Sequence, residues 1–259
     1  MKLNNILAVV RNDLRIIRRV KWRTLEITYF PLTTILIWGL FALHSKQYAF
    51  EAGLIVLIVN LFWSFCHIAQ QQANILLMED LWSLSIKHVF IAGVSEFEYL
   101  IAKLVTSTSA AIVIGTLLLF VANAFGAPLF ANLQTVLVLA GIALLGSIAL
   151  AIFVAGTIMI SGREYGFLSW SAMQLFVFLS APFFSPRLFP AFLQWASAVM
   201  PFTNVFEIAR ALATRAPIQS AVFLKAFVIV VVYLLASLPY YAWACKRARK
   251  TGVLARMAH

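Results

Sequence analysis

The sequence predicts an all-α membrane protein of six transmembrane helices preceded by an amphipathic helix. Two observations carry that expectation. Of the 259 residues 63% are hydrophobic and only 11% charged, with a mean hydropathy of +0.94, whereas soluble domains hold about 25% charged residues. Between Lys103 and Arg163 the chain carries no Asp, Glu, Lys, Arg or His. A bilayer core about 30 Å thick needs roughly 20 apolar residues per helix, so that stretch is long enough to cross twice. A soluble globular enzyme is excluded on these grounds.

Each element follows in order. In residues 1–23, Leu3, Ile6, Leu7, Val10, Leu14 and Ile17 recur at helical spacing among Lys2, Arg11, Asp13, Arg15, Arg18 and Arg19. This pattern predicts a basic amphipathic helix lying in the headgroup plane. It has no apolar core and no small-residue cleavage site of the kind that marks a signal peptide. Spans are expected at 27–43 and 52–70. Glu79, Asp80, Lys87, His88, Glu96, Glu98 and Lys103 then mark 74–103 as an aqueous loop. Further spans are expected at 104–122, 133–160 and 165–184. Asn123, Gly126 and Pro128 make the first of the intervening turns, and Arg163 with Glu164 the second.

Residues 185–225 are read differently. Pro182, Pro186, Pro190 and Pro201 break their surroundings into short pieces, because an interior proline removes a helix hydrogen bond at about 3 kcal/mol. Broken helices at membrane depth persist only inside protein or along a cavity, so a short re-entrant or interfacial hairpin is expected. The last span is placed at 226–244, before Lys246, Arg247, Arg249 and Lys250. Fifteen of the 20 Lys and Arg then fall on the side of the two termini and five on the other. The positive-inside bias puts both termini in the cytoplasm and makes 1–259 a single membrane domain.

The net charge of +11 sits beside apolar spans and not on a soluble module, so nucleic-acid binding is not expected. Cys66 and Cys245 form no metal spacing and no disulfide framework. Within the expected span interiors His67 is the lone ionisable residue. Gly141 to Gly146-Ser147 has the outline of a phosphate loop without its lysine, in mid-span. No catalytic constellation, metal site or bound cofactor is therefore expected. Ala143, Ser147, Ala151 and Ala155 repeat every four residues, which lets helices approach closely, either within the bundle or at a dimer seam. The seven Trp mostly fall near expected span edges, as an interfacial belt does.

The order of these elements resembles the permease subunit of ABC-2 type exporters over essentially the whole chain. Two segments sharpen the likeness. Met78 to His88, followed by Ser95 to Lys103, is similar to the family's cytoplasmic coupling-helix segment. Ser180 to Pro190, then Met200-Pro201-Phe202-Thr203-Asn204 and Glu207 to Arg210, is similar to its external re-entrant hairpin. The resemblance implies that Glu79, Asp80, Trp82, Ser83 and Lys87 dock a separate ATPase. Pro186, Pro190, Pro201, Asn204, Glu207 and Arg210 would shape the hairpin. It further implies a second permease copy, two ATPase copies that hold ATP and Mg, and a bacterial inner-membrane location. The expected cargo is a lipid, a lipid-linked polysaccharide or another amphipathic molecule. An intramembrane lipid-modifying enzyme and a non-catalytic assembly subunit are the alternatives from other classes.

Overall fold

A computed structural model of the chain describes residues 2–19, 21–45 and 50–251, and every regular element among them is helical. The helices are α1 (Leu3–Arg19), α2 (Lys21–Ser45), α3 (Phe50–Trp82), α4 (Ser85–Ile91), α5 (Glu96–Ala124), α6 (Leu133–Ser161), α7 (Leu168–Leu179), α8 (Ala191–Val199), α9 (Thr203–Thr214) and α10 (Ser220–Thr251). Five of them, α2, α3, α5, α6 and α10, are long and apolar enough to cross a membrane. Their outward faces hold Ile37, Val113, Phe120, Leu224 and Leu235 in exposed positions. Such extensive exposed apolar surface is stable in lipid and a liability in water. The architecture is that of an all-α, multi-pass membrane protein.

Helix α3 is the axis of the bundle. It packs against α2, α5, α6, α7 and α9, and Leu57, Ile58, Phe62, Cys66 and Ala69 are essentially inaccessible. Small residues set the closest approaches. Gly53 lies against the Ala42 backbone of α2, and Gly115 of α5 faces the Phe65 ring. On α6, Ala143, Ser147, Ala151 and Ala155 are all buried. Ala143 meets Cys66 of α3, and Ala151 with Ala155 borders Asn74 and Leu77 of α3. The four-residue repeat is thus a packing seam inside the bundle.

Helices α6 and α10 run parallel. Gly146 lies against Val230, Gly156 against Tyr240 and Ala244, and the Thr157 and Tyr240 hydroxyls are 3.0 Å apart. Residues 162–219 must therefore carry the chain back along the bundle. They do so without a continuous long helix, although a span was expected at 165–184. A 3-10 turn at Arg163–Phe167 leads into the 12-residue α7, only about 18 Å long at 1.5 Å per residue. Gly162 at φ 94° ends α6, and Ala181 at φ 47° with Pro182 ends the run after α7. The segment nonetheless lies antiparallel to α3: Gly166 meets Met78, Gln70 reaches the Ser169 carbonyl, and Phe183 packs on Trp63.

Three further boundaries differ from expectation. The expected aqueous loop at 74–103 is mostly helix, with α3 running to Trp82 and α5 starting at Glu96. Only 83–95, which contains α4, separates them. Charge marked this stretch as a loop, but its Asp80 and Lys103 pair with each other and are buried, so they do not end the helices. The expected hairpin at 185–225 ends earlier, because α10 begins at Ser220. Its α8 and α9 are short, and α9 buries Asn204, Val205, Phe206, Ile208, Ala209 and Leu212. Residues 21–23, expected in the amphipathic helix, belong to α2.

Candidate functional site

Two polar constructions stand out in an otherwise apolar bundle. The first is a buried charge junction at the basic end. Lys103 of α5 lies 2.8 Å from Asp13 of α1 and 2.6 Å from Asp80 of α3, with all three side chains nearly inaccessible. The Tyr99 hydroxyl donates to Asp80 at 2.7 Å, and Ser85, the first residue of α4, donates to the other Asp80 oxygen at 2.8 Å. The Thr106 hydroxyl lies 3.5 Å from the second Asp13 oxygen. Burial raises the Asp13 pKa above its ordinary value, and the neighbouring Lys103 opposes that rise. Three helices thus meet on one ammonium group, and α4 is joined to them through Ser85 and Asp80.

A second clamp lies one turn away. Ser95 caps α5 by accepting from the Glu98 amide while Glu98 accepts from the Ser95 amide, a reciprocal capping box. Glu98 also accepts from Asn5 at 2.9 Å and from the Lys2 amide. Arg249 near the end of α10 pairs with Glu96. The N-terminal helix is therefore bolted to the start of α5. Expected to lie in the headgroup plane, α1 buries Val9 and Asp13 against the bundle and leaves Leu3, Leu7 and Leu14 exposed.

This junction redistributes the expected docking residues. Glu79, Asp80 and Trp82 form the last turn of α3, Ser83 lies in the turn, and Lys87 is on α4. Asp80 points inward and is consumed by Lys103, Tyr99 and Ser85, so it is a positioning group and not a surface contact. Trp82 is exposed, and Ile91 at the far end of α4 is 83% exposed. Leu84 sits in the left-handed region at φ 59°, a conformation unusual for a residue with a bulky side chain. It turns the chain so that Ser85 reaches Asp80.

The second construction is a cavity of about 700 Å³ between α2, α3, α7 and Phe183. Its walls combine the aromatic rings of Trp38, Trp63 and Trp170 with the polar side chains of Asn60, Ser64, His67, Gln71, Gln72 and Gln174. The buried His67 Nδ1 and Gln72 Oε1 have no hydrogen-bond partner. Pro31 lies inside α2 and lines the cavity with Ile27; lacking an N–H, it leaves the Ile27 carbonyl without its helical donor. These are three of the seven Trp, most of which were expected near span edges.

The hairpin closes the region beyond Phe183. Pro186 opens a 3-10 turn, Pro190 precedes α8, and Pro201 lies in the turn before α9. Asn204 is buried with its amide nitrogen unpartnered, and Glu207 is exposed. The Arg210 guanidinium donates to the Ala181 and Pro182 carbonyls at 2.7 and 2.9 Å. Arg210 so holds the strained turn from which Phe183 projects to the cavity. Burial lowers its pKa, and nearby Glu207 opposes this.

Sequence reasoning missed the charge junction and the cavity wall. One signal for the first was Asp13, the lone acid in a basic helix. Another was the Ser95-x-x-Glu98 capping pattern. For the second, the signal was the recurrence of Asn60, Gln71 and Gln174 with Trp inside or beside apolar runs. Neither a comparison with known protein families nor one with curated proteins finds a match for this chain.

Proposed function

We propose that the chain is the membrane-spanning permease subunit of an ATP-driven ABC-2 type exporter that moves an amphipathic molecule, a lipid or lipid-linked polysaccharide, outward from the cytoplasm. The observation that carries this reading is the mounting of α4. A short helix with an exposed apolar end is tied through Ser85 and Asp80 to an almost fully buried ion cluster shared by α1, α3 and α5. A push on α4 is passed to three helices through hydrogen bonds and packed side chains.

In this reading a separate ATPase, in two copies, holds ATP and Mg and docks on Trp82 and α4 of two permease chains. The chain itself supplies no cofactor. Helix α4 and both termini face the cytoplasm of a bacterial inner membrane, and the α8–α9 hairpin faces outward. The antiparallel run of 163–183 along α3 supports this, since it returns the chain to the outer side before α10. Alternation between inward and outward openings then acts on the cavity walled by α2, α3 and α7.

Co-expression with an ATPase encoded beside this chain tests the reading. The pair is expected to co-purify, and Trp82→Ala with Ile91→Ala is expected to cut the retained ATPase by about tenfold or more, since exposed aromatic and aliphatic anchors carry much of a docking energy. An unchanged thermal midpoint would show that the variant is folded. No association in the unaltered pair sinks the proposal. Orientation is checked separately. Both native cysteines are buried, so a membrane-impermeant maleimide is expected to label Arg215→Cys in intact cells and to spare His88→Cys. The reverse pattern overturns the topology.

A further inference from the structure

We infer that the outward face of α1 binds anionic phospholipid at the basic end of the bundle. This goes beyond the permease reading and does not rest on it; it needs only that the long apolar helices lie in a bilayer. The argument starts from the helical wheel of Leu3–Arg19, at about 100° per residue. Val9 and Asp13, the buried residues of the helix, stand within about 40° of each other and face the bundle. Arg11, Arg15 and Arg18 fall on the opposite side, and Leu3, Leu7 and Leu14 form a ridge between the two. All six are exposed, Leu3 at 68%. The helix thus has three sectors, one spent on protein, one apolar and one cationic.

The fold sharpens the charge of the outward sector. Asp13 is the lone acid between Leu3 and Arg19, and it is turned inward to Lys103 at 2.8 Å. What α1 leaves outside is Arg11, Arg15, Arg18 and Arg19, with no carboxylate of their own helix among them.

The neighbouring helix fixes the depth. Arg249 of α10 pairs with Glu96, and Asn5 of α1 donates to Glu98, so both helices grip the first turn of α5. Trp243 precedes Arg249 by about 9 Å along α10 at 1.5 Å per residue, and it is 55% exposed. Tryptophan at the end of a span marks the boundary between hydrocarbon and headgroups. Exposed Lys246, Arg247 and Lys250 follow it. The start of α1 is therefore held at headgroup level, beside a second basic group.

A fitting partner must answer both free sectors at once. Hydrocarbon covers the leucine ridge but leaves the arginines unpaired. A soluble acidic protein or a nucleic acid pairs the arginines but leaves the leucines in water. A phospholipid leaflet offers acyl chains and phosphates side by side, and guanidinium meets phosphate in a bidentate fork. Net charge then chooses among lipids. A zwitterionic headgroup carries its own cation next to the phosphate, whereas an anionic one leaves the phosphate to arginine, and each basic residue near an anionic surface adds to the attraction. Because α1 brings Asp13 into the ion cluster, lipid on its outward face also holds that cluster closed.

The test uses the full chain in detergent, with the environment-sensitive dye acrylodan on Leu7→Cys; both native cysteines are buried and stay unlabelled. The probes are phosphatidylglycerol, phosphatidylcholine with the same acyl chains, free glycerol phosphate and polyglutamate. A saturable blue shift is expected from phosphatidylglycerol at a concentration at least about tenfold below that needed of phosphatidylcholine, the equivalent of little more than one arginine at an anionic surface. Arg11→Gln with Arg15→Gln and Arg18→Gln is expected to bring the two lipids level. The three matching Lys substitutions keep the charge and are expected to keep most of the preference. Salt at about 1 M, where screening acts within about 3 Å, is expected to narrow it. The thermal midpoint is expected to rise with phosphatidylglycerol in the parent and not in the glutamine variant. Should that triple variant fail to fold, Arg15→Glu alone carries the test, with a reduced preference expected.

Equal binding of the two lipids overturns the inference, as does a shift with neither, or a preference that the glutamine variant keeps. A shift from glycerol phosphate as strong as from the lipid assigns the arginines to a free phosphate, and one from polyglutamate assigns them to an acidic protein; either result also overturns it.

Discussion

Lys103→Met is expected to lower the stability of the folded chain by about 3–5 kcal/mol, because it removes one partner of a buried ion cluster and leaves charges behind. Asp13 and Asp80 approach the same ammonium group at 2.8 and 2.6 Å, and all three side chains are almost fully covered. In the variant two carboxylates face each other with only Tyr99, Ser85 and Thr106 as donors. The thermal midpoint in detergent is expected to fall by roughly 10 °C. Its pH dependence follows from Asp13. Burial already holds that pKa above its ordinary value, and loss of Lys103 raises it further. A folded state with a raised acid pKa binds protons that the unfolded state does not, so stability increases as pH falls. The deficit of Lys103→Met is therefore expected to shrink on acidification. Adding Asp13→Asn and Asp80→Asn removes both stranded charges and is expected to recover most of the loss at neutral pH. A Lys103→Met protein as stable as the parent would show that the cluster contributes nothing.

Gly53→Ala is the second change expected to have a large effect. A Cβ at this position would lie 2.7 Å from the Ala42 Cα, and a backbone atom cannot swing aside. Helices α2 and α3 must separate, and they carry opposite walls of the cavity. Overpacking of this kind costs about 1–3 kcal/mol when side chains can adjust. Here the loss is expected at the upper end of that range or beyond. Gly39→Ala provides the contrast. The atoms nearest its new Cβ all belong to the Phe125 ring, a side chain with a rotatable bond, so a smaller drop is expected. Thermal midpoints of the two variants decide the matter, and equal values would contradict the packing argument.

Where the two readings of this chain agree, bulk hydropathy explains why. The expected spans at 27–43, 52–70, 104–122, 133–160 and 226–244 each lie within a long helix, since lipid demands an internally bonded apolar segment whatever its neighbours do. Proline spacing likewise foretold the broken region around Pro186, Pro190 and Pro201. Disagreement arose where a residue's meaning depends on its partner. Asp80 and Lys103 are separated by 23 positions and read as solvated charges. Across the α3–α5 contact they neutralise one another, and the loop expected between them shrinks to 83–95. Similarly, the expected span at 165–184 is apolar enough on composition, yet the Gly162, Ala181 and Pro182 backbone reduces it to a 12-residue helix between turns.

The sequence by itself determined that this is a helical membrane protein, through its 63% hydrophobic composition and the uncharged run from Lys103 to Arg163. It also set the place of the proline-broken stretch around Pro186, Pro190 and Pro201. These are properties of single segments in a solvent, and hydropathy and backbone chemistry act on each segment alone. Only the tertiary structure decided that Asp13, Asp80 and Lys103 share one buried site. It also decided that the small residues of α6 pack inward, and that Trp38, Trp63 and Trp170 wall a cavity with amide side chains. Those facts depend on which helix faces sit side by side, and pairing energies between distant positions leave no local mark on composition or period.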